Sequence, residues 1–321
     1  MKVLANDGIS PEGVSKLEEA GFVVSTTFVP QDQLIDVINN EGYEVLLVRS
    51  ATTVRKDLID ACPNLKFIGR GGVGMDNIDV AYARSIGRIV QNTPAASSQS
   101  VAEMVMGNMF AISRSLHDSY KNMPVNGETE FKTLKKKYGK GVELNGKTLL
   151  IIGFGRIGQA LASYALGVGM KVTAVDMNTA TVSIPLTIHG IGTVHAEITP
   201  TNDLHAVLGT ADYISIHVPK QADGSAVIQK SEFNAMKDGV RIINAARGGV
   251  VNEDDLLAAL ASGKVAAAAL DVFENEPTPR KDLLTHEKIA CTPHIGAATV
   301  EAQGRIGGEM ADLIISAFVK A

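Results

Sequence analysis

Three short segments carry side chains able to do chemistry together, and each follows a run of β-branched or small apolar residues. Ile243-Asn244-Ala245-Ala246-Arg247-Gly248-Gly249 offers a guanidinium, Ala269-Leu270-Asp271-Val272-Phe273-Glu274-Asn275-Glu276-Pro277 offers carboxylates, and Thr292-Pro293-His294-Ile295-Gly296 offers an imidazole. In open α/β sheets ligands sit beyond the carboxyl ends of the strands, which is where all three segments would lie. An Arg, a carboxylate and a His gathered there suit oxidation of a 2-hydroxy acid. The guanidinium pairs bidentately with the substrate carboxylate, the imidazole takes the hydroxyl proton as hydride leaves C2, and the carboxylate stabilises the imidazolium. Singly, each has a plainer reading as a structural His, a loop carboxylate or a surface ion-pair partner. Their joint occurrence, in order and at strand ends, favours the chemistry.

Hydride removal needs an acceptor, and two stretches fit the G-x-G-x-x-G pattern of a dinucleotide site: Gly69-Arg70-Gly71-Gly72-Val73-Gly74 and Gly153-Phe154-Gly155-Arg156-Ile157-Gly158. Context separates them. Such a site needs a strand before the loop, a helix N-terminus after it for the pyrophosphate, and an acid at the end of the next strand for the ribose hydroxyls. The second loop has all three, with Thr148–Ile152 before it, Gln159-Ala160-Leu161-Ala162 continuing as helix, and Lys171–Val175 ending in Asp176. That carboxylate would repel a 2′-phosphate, and Met177-Asn178 brings no Arg to offset it, so NAD is expected over NADP. After the first loop the equivalent strand ends at Val90-Gln91, with no acid. Gly71, Gly72 and Gly74 leave backbone amides unshielded, which suits a carboxylate nest; a strained turn that only packs is the alternative.

These loops need strands to hold them. Short β-branched runs at Lys2–Ala5, Val23–Thr26, Glu44–Val48, Lys66–Ile68 and Arg88–Val90, separated by helical patterns, read as one parallel sheet. A second series occurs at Thr148–Ile152, Lys171–Val175, Tyr213–His217, Arg241–Asn244, Ala266–Leu270 and Ile289–Cys291. The expected fold class is therefore α/β, with two doubly wound parallel sheets. Between the series, Ser98 to about Met123 is helix-prone and apolar on more than one side, as expected of an inter-domain or inter-subunit helix. Pro124–Gly146, polar and rich in lysine at Lys132, Lys135, Lys136, Lys137 and Lys140, reads as a connecting loop, and a helix is expected from about Thr299 to Phe318.

A chain of 321 residues exceeds the usual single core, so two domains are expected. With 45% apolar and 20% charged residues and a net charge of −5 at pH 7, nothing supports a nucleic-acid or anionic-membrane surface, so any anion site must be local. The N-terminus turns polar after four residues and no apolar run approaches a membrane span, which makes a cytoplasmic protein the expectation. Cys62 and Cys291 form neither a disulfide framework nor a metal-ligand spacing and read as buried thiols; no metal site is expected.

The ordered set Gly153–Gly158 with Asp176, Asn244-x-x-Arg247-Gly248, Asp271 with Glu276-Pro277, and Pro293-His294-Ile295-Gly296 resembles the D-2-hydroxyacid dehydrogenase family over nearly the whole chain. The resemblance implies a substrate domain built from both termini, residues 1–97 and 292–321, with an NAD domain, 98–291, inserted between them. It implies Arg247 as substrate binder, His294 as acid/base, and Glu276 as the residue that raises the His pKa. Gly153, Gly155, Arg156, Ile157, Gly158 and Asp176 would hold NAD. His217-Val218-Pro219 would run beside the cofactor through backbone contact, with Ala245 and Gly296 nearby and Asp271 near the nicotinamide carboxamide. Val48–Val54, Gly69–Asp79 and Asn92–Glu103 are most similar to the branch that oxidises 3-phospho-D-glycerate to 3-phosphohydroxypyruvate, the first step toward serine. Amides of Val73 and Gly74 would then hold the carboxylate, with Arg49 or Arg70 toward the phosphate. A hydroxypyruvate/glyoxylate or D-lactate-type enzyme remains open, as does a dinucleotide-sensing binding protein. A homodimer through the helix beginning near Ser98 is expected. No appended regulatory domain is expected beyond Ala321.

Overall fold

The computed structural model describes residues 1–319. The chain separates into two compact units, one made of Met1–Ser100 with Ala297–Ala321 and the other of Val101–Gly296. These divisions fall a few residues later than the 97/98 and 291/292 boundaries expected from the sequence. At the second crossing the cause is local: the amides of Ile295 and Gly296 each donate to Asp271 at 2.9 Å, which keeps the segment through Gly296 with the second unit.

In the first unit β1 (Lys2–Ala5), α1 (Pro11–Glu19), β2 (Val23–Ser25), α2 (Leu34–Glu41), β3 (Val45–Val48), α3 (Lys56–Ala61), β4 (Phe67–Arg70), α4 (Val80–Ser85) and β5 (Ile89–Asn92) alternate. The strands form one parallel sheet in the order β2-β1-β3-β4-β5. Every residue of β3 is buried, as a central strand covered on both faces requires, and a fully buried Leu or Val side chain stabilises by about 1.5–3 kcal/mol. Pairing of Val48 with Arg70 brings the carboxyl ends of β3 and β4 level, so Arg49 and the Gly71–Gly74 loop leave the sheet together.

The second unit contains most of α5 (Ser98–Arg114), then α6 (Leu116–Tyr138), β6 (Thr148–Ile152), α7 (Arg156–Gly167), β7 (Lys171–Val175), β8 (Val182–Ile188), β9 (Gly192–Ile198), α8 (Leu204–Leu208) and β10 (Tyr213–Ile216). It continues through α9 (Lys230–Ala235), β11 (Val240–Asn244), α10 (Glu253–Ser262), β12 (Val265–Leu270), α11 (Lys281–Leu284) and β13 (Ile289–Cys291). Six of its strands form a parallel sheet ordered β13-β12-β11-β10-β6-β7, with β8 and β9 as a separate antiparallel hairpin. Val101, Val105, Met109 and Ile112 of α5 pack with Leu149, Ile151 and Leu161 in one of its cores. The last helix, α12 (Val300–Phe318), belongs to the first unit, where Met310, Ala311 and Ile314 pack with Val3, Val45 and Phe67.

Three expectations need correction. Pro124–Gly146 is helical as far as Tyr138 apart from a kink at Glu130 (φ −116°, ψ 19°), not a connecting loop, and the long helix expected from Ser98 is broken at Ser115, which adopts a left-handed backbone (φ 52°). Leu134 and Asp118 are the buried residues of α6, which leaves no apolar stripe to read; its two halves are instead tied to each other across the kink by Lys137 and Tyr138, which meet Asp118 at 2.7 and 2.8 Å, and Lys137 also meets Glu287 at 3.4 Å. Cys62 is buried as expected, but Cys291 is only half-buried. Burial pushes both thiols up to about 11. Among the described residues, no helix is long and apolar enough to cross a membrane.

Candidate active site

The Gly153–Gly158 loop leaves the end of β6 and runs directly into α7, whose N-cap, Gly155, supplies no side-chain oxygen. Among the described residues the amides of Arg156 and Ile157 donate to nothing, and the Arg156 side chain has no partner. Two glycines are required by contact. A Cβ on Gly153, which has φ +92°, would stand 2.7 Å from the His217 carbonyl oxygen, and one on Gly158 would stand 2.4 Å from the Gly153 carbonyl oxygen. Asp176 closes the loop from β7: its carboxylate accepts from the amides of Phe154 at 2.6 Å and Asn178 at 2.9 Å. Open amides at a helix N-terminus, the close approach that glycine permits and an acid at the neighbouring strand end together fit a dinucleotide. His217, at the end of β10, turns Nε2 to Ser215 Oγ at 2.8 Å, and its buried Nδ1 has no hydrogen-bond partner. Burial holds this imidazole neutral, down at about 4. Val218 packs beside Gly153, while Pro219 is exposed.

The three chemical segments also lie in the second unit. Asn244, buried at the end of β11, accepts from the Ala246 amide at 3.1 Å and donates to the Arg247 carbonyl at 2.9 Å, which fixes the turn carrying Ala245 and Arg247. The Arg247 guanidinium donates to the Ala246 carbonyl at 2.6 Å. From β12, Asp271 is buried and accepts from Thr292 Oγ1 at 2.6 Å as well as from the Ile295 and Gly296 amides. The Gly296 amide and the Asp271 carboxylate are thus spent on holding the His294 loop. His294 itself has a left-handed backbone (φ 56°), unusual outside glycine. Its Nδ1 lies 2.8 Å from Glu276 Oε2, and Glu276 Oε1 accepts from the Phe273 amide at 3.0 Å. With Nδ1–H donating to the carboxylate, Nε2 keeps its lone pair and is available to a substrate hydroxyl.

In the first unit the Val73 and Gly74 amides donate to nothing among the described residues. The loop is latched by Thr93, which accepts from the Gly72 amide through Oγ1 at 2.8 Å and donates its own amide to the Gly72 carbonyl at 3.1 Å. The two arginines differ. Arg70 turns back on its own loop, donating to the Gly71 carbonyl at 3.1 Å. Arg49 has no hydrogen-bond or ion-pair partner for its guanidinium among the described residues and lines a cavity of about 580 Å³ with Gly71, Thr299 and Gln303. Thr93, Asn244 and Thr292 all stand inside segments singled out from the sequence, Asn244 as part of a motif, but none was given a role there, and neither hydroxyl had a signal beyond its position after a strand.

The family model for the D-isomer specific 2-hydroxyacid dehydrogenase NAD binding domain matches residues 106–296. The chain belongs to the D-isomer specific 2-hydroxyacid dehydrogenases. Among curated relatives of this dehydrogenase, a hydroxypyruvate reductase of Thermotoga maritima is 41% identical over 317 residues, covering 98% of this chain and 97% of its own. A D-3-phosphoglycerate dehydrogenase of Methanocaldococcus jannaschii is 39% identical over 314 residues, covering 98% of this chain and 57% of its own. The structure of a D-lactate dehydrogenase from Aquifex aeolicus, complexed with NAD and lactic acid, matches with a TM-score of 0.76 and 29% identity over 99% of this dehydrogenase and 95% of that chain. The cofactor of this dehydrogenase is NAD, and the reaction class is oxidation and reduction at C2 of a 2-hydroxy acid.

Proposed function

We propose that this dehydrogenase interconverts 3-phospho-D-glycerate and 3-phosphohydroxypyruvate, entering the route to serine. The observation that carries the reading is the unpartnered Arg49 guanidinium at a cavity of about 580 Å³, close in sequence register to the open Val73 and Gly74 amides. An uncommitted cation at the end of β3, next to the strand that leads into the Val73 and Gly74 nest, suits an acid with a second anionic group. In this reading the Val73 and Gly74 amides and Arg247 bind the carboxylate, and Arg49 binds the phosphate, with Arg70 supporting the loop.

Bound NAD would supply the acceptor for the hydride leaving C2. Gly153, Gly155, Arg156, Ile157 and Gly158 would hold its pyrophosphate and Asp176 its ribose, with His217, Val218, Pro219 and Ala245 along its edge. His294 Nε2 takes the hydroxyl proton. Glu276, against Nδ1, orients the ring and stabilises the imidazolium that forms. Asp271 and Gly296 act first by fixing the loop that carries His294. The chain acts as a homodimer through the stretch beginning at Ser98, which is α5 and the start of α6, where Phe110, Tyr120 and Met123 are exposed; a monomer mass by light scattering would overturn that, and a cytoplasmic setting fits the two free thiols.

A second reading is favoured by one finding: the hydroxypyruvate reductase relative aligns over 97% of its own length. The two separate in a panel of 3-phosphohydroxypyruvate, hydroxypyruvate, glyoxylate and pyruvate, monitored by loss of NADH absorbance. The phosphorylated acid is expected to have the largest kcat/KM, and Arg49→Ala is expected to raise its KM about 10- to 100-fold while hydroxypyruvate KM changes less than about twofold. Equal use of the unphosphorylated acids by the unaltered protein selects the second reading.

A further inference from the structure

The first turn of α10 holds Glu253, Asp254 and Asp255. Two of these have outward partners: Asp254 pairs with Arg280 at 2.5 Å, and Asp255 accepts from the Lys230 amide at 2.9 Å. Glu253 points inward and is 4% exposed. Its Oε1 accepts from the Glu274 amide at 2.8 Å, and Glu274 Oε1 accepts from the Glu253 amide at 3.3 Å. This reciprocal exchange ties the start of α10 to the segment leading to Glu276. Glu253 Oε2 is buried with no hydrogen-bond partner. A carboxylate is a costly side chain to bury half-satisfied, and burial pushes its pKa up. Its surroundings give little relief, with Glu274 and Asp282 opposing the charge and Arg280 favouring it.

The peptide that this side chain grips explains its place. That peptide adjoins Phe273, whose amide donates to Glu276 Oε1, and Glu276 Oε2 meets His294 Nδ1. From the other side the same peptide touches the Arg247 turn. A Cβ on Gly248 would stand 1.7 Å from the Phe273 carbonyl oxygen and 2.8 Å from the Glu274 nitrogen, so the two backbones are in direct contact. The Phe273–Glu274 peptide is therefore wedged between the Arg247 turn and the Glu253 carboxylate. Any shift of it moves the Arg247 turn and the Glu276 carboxylate together.

We propose that Glu253 is a positioning residue for the reaction, holding the Phe273–Glu274 peptide so that Arg247 and the Glu276–His294 pair keep one fixed spacing. The proposal rests on the roles of Arg247, Glu276 and His294 in the proposed dehydrogenation. It requires an acceptor at Glu253 Oε1, not a charge, since the group held is an amide. Geometry of this kind is sensitive, because small misplacements of reacting groups cost large factors in rate.

The test compares Glu253→Gln, Glu253→Asp and Glu253→Ala in the full-length protein with NADH and the best acid of the panel. Turnover is expressed per NADH-binding site measured by fluorescence titration, at a temperature well below each variant's Tm. Gln keeps the acceptor and is expected to retain kcat within about threefold. Asp withdraws the acceptor by one methylene, and Ala removes it; both are expected to lower kcat per site at least about tenfold and to raise the acid's KM, with the Kd for NADH within about twofold of the parent. Loss of Tm with unchanged kcat and KM per site in Asp and Ala would overturn the proposal, as would equal loss in Gln and Ala. Should Ala fail to fold, the Gln and Asp pair decides by the same criteria. His294→Ala, run beside them, isolates the underlying reading: if it retains full turnover, the reading fails, whereas its loss of turnover with unchanged Glu253 variants sinks the positioning role alone.

Discussion

Gly69–Gly74 in the first unit and Gly153–Gly158 in the second both leave the carboxyl end of a parallel strand, yet only the second runs straight into a helix. After Gly158 the chain is already inside α7; after Gly74 it makes a turn and enters α4 only at Val80. One loop thus points its open amides along a helix axis, where the macrodipole favours a pyrophosphate, and the other presents isolated amides of the kind that cradle a carboxylate. Their latches differ too. Neutral Thr93 closes the first, while titratable Asp176 and His217 stand at the second. The glycines permit close approach in both, and the helix or turn that succeeds them decides the ligand.

The sharpest break of this division is at the chemistry. If the second unit holds both NAD and the acid–base group, His294→Ala should lower kcat by about 10²- to 10⁴-fold while leaving the Kd for NADH unchanged within about twofold. Fluorescence titration and steady-state rates on one preparation read both numbers. Next come the loops themselves. Gly158→Ala forces a Cβ against the Gly153 carbonyl and should weaken NADH binding about tenfold or more, whereas Gly72→Ala, at φ +130°, should raise the acid's KM and spare NADH. Identical effects of the two substitutions on NADH would erase the distinction between the loops.

The smallest expected effect tests the latches. His217 is held at about 4 in the folded protein, below its unfolded value of about 6.5, so the unfolded chain takes up a proton that the folded chain refuses. Stability therefore falls as pH drops from about 6.5 toward about 4, by about 1 kcal/mol between about pH 7 and about pH 5.5. Urea midpoints across that range should decline in the parent and flatten in His217→Asn. A parallel decline in both proteins would assign the acid sensitivity elsewhere.

Strand positions are legible wherever burial on both faces writes a continuous apolar run. Thr148–Ile152 and Ile289–Cys291 end where such a run does, whereas the edge strand Lys171–Val175 is buried only at Ala174 and Val175. The β8–β9 hairpin escapes such a reading although Val182, Ile184, Leu186 and Ile188 alternate with polar residues, because the doubly wound pattern leaves no place for an antiparallel pair after its second strand. α6 is obscured for the opposite reason: it contains Pro124 and a lysine-rich run near its end, and its ties are polar, Lys137 meeting Asp118 within the element and Glu287 beyond it. At the site, the residues that would touch substrate stand in motifs. Asn244 and Asp271, which hold them in place, stand there too, but Glu253 reads as one acid among three and Thr292 as an ordinary hydroxyl; only the groups these two meet in three dimensions distinguish them.

The first unit draws part of its core from α12, so Val3, Val45 and Phe67 wait for Met310, Ala311 and Ile314 across most of the chain. The second unit is continuous from Val101 to Gly296. During vectorial synthesis the second unit can close its cores as soon as its own strands have emerged, whereas the sheet made first must stand with one face covered only in part, by α1 and its Leu17, until α12 is added. The older of the two units in the nascent chain is therefore the last to be finished, and for that interval it is the one most in need of a chaperone.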